Sequence, residues 1–123
     1  MLLDMEASLE HMRRGTVRHV DTMLIVTEPY FRSLETAARL AELGREIGIQ
    51  RVAAIANKVR TPEEEKAVRD FCERHGIELA QVIYFDTEVT RVDNAGLSLL
   101  DMAPRSRAAD SIRQLATSLE EVA

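Results

Sequence analysis

Runs of apolar residues alternate with amphipathic stretches along the chain. Three apolar runs, each bounded by polar or turn-forming residues, predict strands: 21–27, 51–58 and 80–85. In the first two, the central residues are apolar at consecutive positions, which is typical of strands covered on both faces. A shorter run at residues 1–3 predicts a further strand that ends at Asp4, and residues 6–14 then form either a short helix or a loop.

The segments between these runs carry helix signals. Ser33 predicts the N-cap of a helix that runs to about Ile47. Thr61, Pro62 and Glu64 have the spacing of a capping box with proline at the first helical position, which predicts a helix to about His75.

Two more helices are predicted in the last third of the chain. Asp86 can cap a short helix that ends near a turn at 94–96. A last helix is predicted from Pro104, with five apolar residues on one face: Ala108, Ile112, Leu115, Leu119 and Val122. Strands that alternate with helices of this length predict an α/β fold with three layers, in which helices cover both faces of a mostly parallel sheet. Residues 1–123 fit one domain.

Composition narrows the classes of partner and compartment. The chain is 46% apolar and 30% charged, which is typical of a globular protein, and its net charge of −5 argues against nucleic acid as a main partner. A single cysteine, Cys72, fits a reducing compartment and is best read as a small core residue. No apolar run approaches the ~20 residues of a membrane span. These features predict a cytoplasmic protein without a membrane partner.

Polar residues at strand ends are the candidates for chemistry, because ligands of open α/β folds bind at the carboxyl edge of the sheet. Asp4 is either a turn residue or a magnesium-water ligand beside nucleotide phosphates. Asn57 can present a donor and an acceptor to a purine edge while Lys58 supplies charge; alternatively, the two residues begin a turn. The three histidines, His11, His19 and His75, show no metal-ligand spacing, so no metal site is predicted.

Taken together in order, these strand ends resemble a known family. The sequence is similar to the deviant P-loop ATPases related to MinD, ParA and the nitrogenase iron protein, and most of all to the ATPases that promote nickel insertion into carbon monoxide dehydrogenase. The segments that carry the resemblance span nearly the whole chain: 4–7 (Asp-Met-Glu-Ala), 10–11 (Glu-His), 14–16 (Arg-Gly-Thr), 18–21, 24–29, 33–37, 57–59, 85–86 with Val89, and 96–98 before Asp101.

The resemblance implies a Mg-ATP site between two subunits. By it, Asp4 is the acid at the magnesium ion and Asn57, followed by Lys58, contacts adenine. The loop from Tyr84 to Val89, which includes Phe85 and Asp86, closes over the base. The family usually has glycine where Ser8 stands and proline where Tyr84 stands.

The largest departure from the family is the phosphate cradle. A P-loop needs clustered glycines followed by lysine, whereas the five glycines here are scattered and no Gly-Lys pair occurs. The paired nickel-binding cysteines that precede the Asp4 strand in the family are missing too. The sequence therefore predicts the C-terminal portion of a nucleotide-binding domain that neither binds Mg-ATP tightly nor hydrolyses it alone.

The missing P-loop strand would leave a slot inside the family's sheet, and each buried unpaired backbone group there would cost about 1–3 kcal/mol. Either the two flanking strands pair directly, or a homodimer or a missing N-terminal half fills the slot; otherwise the chain should be poorly soluble. The resemblance also implies a metalloenzyme as client. The alternative is a scaffold or dimerisation module without a P-loop. A partition or division-site ATPase fragment is disfavoured, because the helix at 104–122 lacks the basic polar face of a membrane-targeting helix.

Overall fold

The computed structural model describes residues 20–122, which form three strands and five helices. In chain order these are β1 (Thr22–Thr27), α1 (Phe31–Glu46), β2 (Arg51–Val59), α2 (Pro62–Arg74), β3 (Glu78–Tyr84), α3 (Thr87–Asn94), α4 (Leu99–Met102) and α5 (Arg107–Val122). The predicted strand that ends at Asp4 and the segment 6–14 lie outside the described residues.

The three strands form one parallel sheet in the order β1-β2-β3. Thr22 to Thr27 pair in regular register with Arg51 to Ala56, whereas the pairing of β2 with β3 shifts twice. Each strand is joined to the next by a helix, as the alternation of apolar runs and helix signals predicted. The α/β fold is therefore confirmed, although β3 begins two residues before the predicted start at Ala80 and ends at Tyr84.

Helices α1 and α2 contribute to the same hydrophobic core on one face of the sheet. Leu34, Leu40 and Ala41 of α1 are buried there, with Val68 and Phe71 of α2. The small residues of α1 allow its close approach. A Cβ added at Gly44, for example, would lie 2.6 Å from the terminal methyl group of Met23.

Helix α5 packs against β3, and its buried residues Ala108, Ala109 and Ser111 lie outside the core of α1 and α2. Ala53 and Ile55 of β2 are likewise buried outside that core, as the alternation of side chains along a strand requires for the opposite face. Helices therefore cover both faces. Ile112, on the predicted apolar face of α5, is 40% exposed.

The predicted N-cap is confirmed for α2 and wrong for α1. At α2, the Thr61 hydroxyl accepts a hydrogen bond from the Glu64 N–H at 3.1 Å, as predicted. At α1, Ser33 is not the N-cap, because the helix begins at Phe31 with Tyr30 before it. The Ser33 hydroxyl instead lies 2.9 Å from the Thr27 hydroxyl and accepts a hydrogen bond from the Glu28 N–H, also at 2.9 Å.

Within residues 20–122, no helix has both the length and the apolar character needed to cross a lipid bilayer.

Candidate functional site

A β-bulge at the carboxyl end of β2 shapes the candidate site. Ala56 pairs with Val82 and Val59 pairs with Tyr84, so two residues of β2 stand opposite one residue of β3. Ala56 and Val59 both belong to the core of α1 and α2, although they are three residues apart. Because side chains alternate in a regular strand, this spacing requires the bulge.

The two residues of the bulge are Asn57 and Lys58. Lys58 has a φ of 58°, in the left-handed region that costs a non-glycine residue roughly 1–2 kcal/mol. Asn57 is half-buried and Lys58 is exposed. A strained, non-glycine bulge next to a ligand edge is a recurrent device for aiming side chains. Both residues that the sequence singled out on this strand therefore lie at one conformational irregularity.

Lys58 connects the end of β2 to the loop after β1. Its Nζ lies 3.5 Å from Oε1 of Glu28, while Oε2 of Glu28 accepts a hydrogen bond from the Tyr30 hydroxyl at 2.9 Å. That hydrogen bond, with the nearby Glu28 charge, raises the pKa of Tyr30. The loop after β1 thus places a carboxylate and a phenol beside the bulge, on the same sheet edge.

The loop after β3 is held against the bulge. The Phe85 N–H donates to the Val59 carbonyl at 2.8 Å, which extends the pairing of β2 and β3 by one bond. The side chains of Phe85 and Val89 are 41% and 40% exposed, so two apolar groups face solvent at this edge. The loop after β3 therefore begins beside Val59, the residue that follows Asn57 and Lys58, and the predicted role of these residues in nucleotide binding stays a prediction.

Asp86 has an internal role in this loop. Its Oδ1 accepts from the Glu88 N–H at 2.9 Å and its Oδ2 accepts from the Ala108 N–H at 3.0 Å. The first bond caps α3, as the sequence predicted, and the second reaches the first turn of α5. One carboxylate thus links two helix starts, and these two bonds are a structural reason for an aspartate at this position. The predicted contact of Asp86 with nucleotide stays a prediction.

Two arginines at this edge have no sequence signal that marked them. The guanidinium carbon of Arg60 lies 4.7 Å from the centre of the Phe85 ring, and that of Arg107 lies 3.8 Å from the centre of the Tyr84 ring. Both distances fall within the range of cation–π contacts. The partners are 25 and 23 residues apart; the register of β2 and β3 brings Arg60 to Phe85, and the packing of α5 on β3 brings Arg107 to Tyr84, so no local motif could have shown either contact.

The remaining candidates lie elsewhere. Asp4, the predicted magnesium acid, is outside the described residues. Cys72 is buried in the core of α1 and α2, and burial raises the pKa of its thiol, which fits the core role predicted for it. Between Val20 and Val122, no group of three or more His, Cys, Asp or Glu residues is placed to hold a metal ion.

Two shallow hollows on the surface are lined by residues of α2. A shallow hollow of about 270 Å³ is lined by Glu65 and Arg69 of α2 and by residues 79–82 and Tyr84 of β3. A second hollow, of about 490 Å³, lies on α2 alone. Neither hollow includes Asn57, Lys58 or Phe85.

The chain is similar in sequence to two ATPase-related proteins. The chain is 41% identical over 107 residues to the carbon monoxide dehydrogenase accessory protein CooC of Rhodospirillum rubrum, an alignment that covers 87% of this chain and 40% of CooC. It is 40% identical over 96 residues to an uncharacterized ATP-binding protein of Methanocaldococcus jannaschii, with 78% of this chain and 37% of that protein covered. No protein-family profile matches the sequence.

The fold agrees with these relatives. The MinD cell division protein of Aquifex aeolicus superimposes with a TM-score of 0.73 and 20% identity, over 85% of this chain and 46% of MinD. Sequence and fold together show that the chain belongs to the MinD/ParA-like family. Within that family it is similar to the accessory proteins of carbon monoxide dehydrogenase. The chain spans about 40% of the length of the relatives it matches.

Proposed function

We propose that this chain supplies the base-binding edge of a Mg-ATP site in an accessory ATPase of metallocentre maturation. The metalloenzyme served would be a carbon monoxide dehydrogenase, and the maturation step would be nickel insertion, carried out in the cytoplasm. The support is the similarity to CooC, whose name gives its role as a carbon monoxide dehydrogenase accessory protein. The M. jannaschii relative is named as ATP-binding.

The observation that carries the proposal is the bulge at Asn57 and Lys58, held beside the loop of Phe85. A carboxamide has one acceptor and two donor hydrogens, which can match the Watson–Crick edge of adenine. The left-handed backbone at Lys58 lies next to Asn57, at the sheet edge where ligands of open α/β sheets bind, which supports this assignment. Tyr84, Phe85, Asp86 and Val89 form the adjacent loop in this proposal.

Magnesium and phosphate binding are assigned differently. Asp4 would act as the acid at the magnesium-bound water, by resemblance to the family. The 123 residues contain no Gly-Lys pair, and the glycines of β-α turns that cradle phosphate have no counterpart among the five glycines present. Without backbone N–H groups clustered around the phosphates, the main electrostatic contribution to binding is missing. We therefore propose that this chain alone binds Mg-ATP weakly and does not hydrolyse it.

A dimerisation or scaffold role is the second candidate, and one observation favours it. Among the described residues, β1 pairs only with β2, and Val26 on this strand is 62% exposed. An apolar side chain on an edge strand favours pairing with another polypeptide. The partner would be a second copy or the P-loop-bearing half of the site.

Titration of the chain with adenosine and with Mg-ATP, followed by amide NMR shifts, tests the proposal. We expect both ligands to shift the signals of Asn57 and Phe85, with dissociation constants of about 1 mM or weaker and within about tenfold of each other. The reason is that both ligands share the base and the chain offers the phosphates no cradle.

Variants and opposite outcomes sharpen this titration. Asn57→Ala should weaken the binding of both ligands, whereas Asn94→Ala, at the end of α3, should leave it unchanged. Mg-ATP binding a hundredfold tighter than adenosine would place a phosphate site in this chain and contradict the assignment. Absence of any shift with either ligand would support the scaffold role instead.

A further inference from the structure

Phe85 and Arg60 form a surface pair that the sequence did not indicate. Phe85 is 41% exposed, which is unusual for a phenylalanine beside a packed core, and the Arg60 guanidinium carbon lies 4.7 Å from its ring centre. Arg60 is exposed as well. The pair therefore presents a delocalised cation and an aromatic ring together at the carboxyl edge of the sheet.

Both members of the pair are attached to fixed backbone. The Phe85 N–H donates to the Val59 carbonyl at 2.8 Å, and the Arg60 N–H donates to Oε2 of Glu64 at 2.7 Å. Arg60 also directly precedes Thr61, the N-cap of α2. Because the backbone is already fixed, a ligand that stacks on the two side chains costs little further backbone entropy. The pair is therefore pre-organised for binding.

The Asp86 side chain of the same loop already has hydrogen-bond partners within the protein. Both carboxylate oxygens of Asp86 accept bonds from helix N–H groups, so this side chain is fixed in place by two helix starts. What the loop does present to solvent is the Phe85 ring, with Val89 40% exposed four residues later. The loop therefore offers a base a surface for stacking and apolar contact.

We infer that Arg60 and Phe85 form the stacking platform for a purine base, with Arg60 as a binding residue of the nucleotide site. The inference rests on the proposed function. Aromatic rings and guanidinium planes both stack on nucleobases, and such stacking tolerates different bases because every base has a π-face. Discrimination between adenine and guanine is then assigned to hydrogen-bonding groups, of which the Asn57 carboxamide is the one we test.

The test measures NMR affinities of the chain for adenosine and guanosine. Arg60→Ala and Phe85→Leu should each weaken binding of both nucleosides by the same factor, roughly fivefold or more, as is typical of lost base stacking. Asn57→Ala should instead change the ratio of the two affinities. Matched controls are Arg39→Ala, an exposed arginine on α1, and Phe31→Leu, a phenylalanine that is 72% exposed; neither should alter binding.

Two results would overturn the inference, and they differ from each other. If adenosine shifts the Asn57 signals but Arg60→Ala and Phe85→Leu bind like the unaltered chain, the platform is wrong and the base-binding edge stands. If neither nucleoside shifts any signal of residues 57–60 or 84–89, the nucleotide site itself is wrong. Thermal unfolding of each variant, within a few degrees of the unaltered chain, shows that a loss of binding is not a loss of fold.

Discussion

The two parts of β2 differ in what determines their conformation. Residues 52–56 are all buried, with Ala53 and Ala56 fully so, and they pair in regular register with β1. Residues 57–59 hold a bulge, a left-handed lysine and two polar side chains. The first part is apolar because both faces are covered, and its backbone is regular toward β1, although its pairing with β3 shifts between Ala54 and Ile55. The second departs from regularity at the edge where a ligand can reach it.

The difference shows how one strand can serve stability and chemistry together. Small alanines in the first part let helices approach both faces, and this packing fixes the position of the strand. Val59, fully buried beyond the bulge, anchors the strand again on the far side. The strained residue is therefore flanked by packed ones, which is the arrangement that allows local strain to persist.

The largest effect is expected from the packed part. Ile55→Ala should lower the free energy of unfolding by about 2–5 kcal/mol, because Ile55 is 4% exposed and its truncation leaves a cavity. Urea unfolding measures the change. Val89→Ala, at the exposed edge, is the control and should cost less than about 1 kcal/mol. A similar cost for both substitutions would remove the contrast between the two regions.

A smaller effect of opposite sign is expected at the bulge. Lys58→Gly should raise the free energy of unfolding by about 1 kcal/mol, because glycine adopts a φ of 58° without the clash that Lys58 suffers. Lys58→Ala loses the same exposed ion pair with Glu28 but keeps the strained Cβ, so its stability should stay close to that of the unaltered chain. Equal stabilities of the glycine and alanine variants would show that the bulge is unstrained.

The smallest effect is expected at the start of β2, where Arg51 and Glu78 form an ion pair with an N–O distance of 2.6 Å. The hydrogen bond from Arg51 lowers the pKa of Glu78 below its ordinary value of 4.5. A carboxylate with a lowered folded-state pKa stabilises the protein above the unfolded-state pKa, and this contribution is lost as the pH falls through the folded-state value.

Glu78→Gln should therefore cost about 0.2–1 kcal/mol at pH 7, since the pair is exposed. The difference between the two proteins should shrink as the pH falls below 4.5. Urea unfolding at pH 7 and pH 3 measures it. A difference that is the same at both pH values would mean that the Glu78 charge contributes nothing.

The strand and helix order could be read from the sequence because each signal is local. Thr61, Pro62 and Glu64 lie within four residues, and their capping interaction forms almost as predicted, although Glu64 accepts from the N–H of Arg60 rather than of Thr61. Ser33 has the same kind of local signal, yet its hydroxyl bonds to Thr27 and Glu28, which tertiary structure brings within reach.

Geometry at the candidate site could be predicted only in part. Asn57, Lys58 and Phe85 could be assigned to one sheet edge, because parallel strands end together. The bulge and the left-handed Lys58 depend on which residues of β3 oppose β2, which is a property of register. Arg60 and Arg107 were missed because each contacts an aromatic ring more than twenty residues away along the chain.

The carboxylate of Asp86 couples the start of α3 to the start of α5. Since one oxygen holds the start of α3 and the other the start of α5, residues 84–89 cannot swing as a simple flap. Any tilt of the loop either breaks one of these two hydrogen bonds or moves the first turn of α5, a helix of 16 residues. Closure of this loop on a ligand would therefore also displace the first turn of α5, which packs against β3.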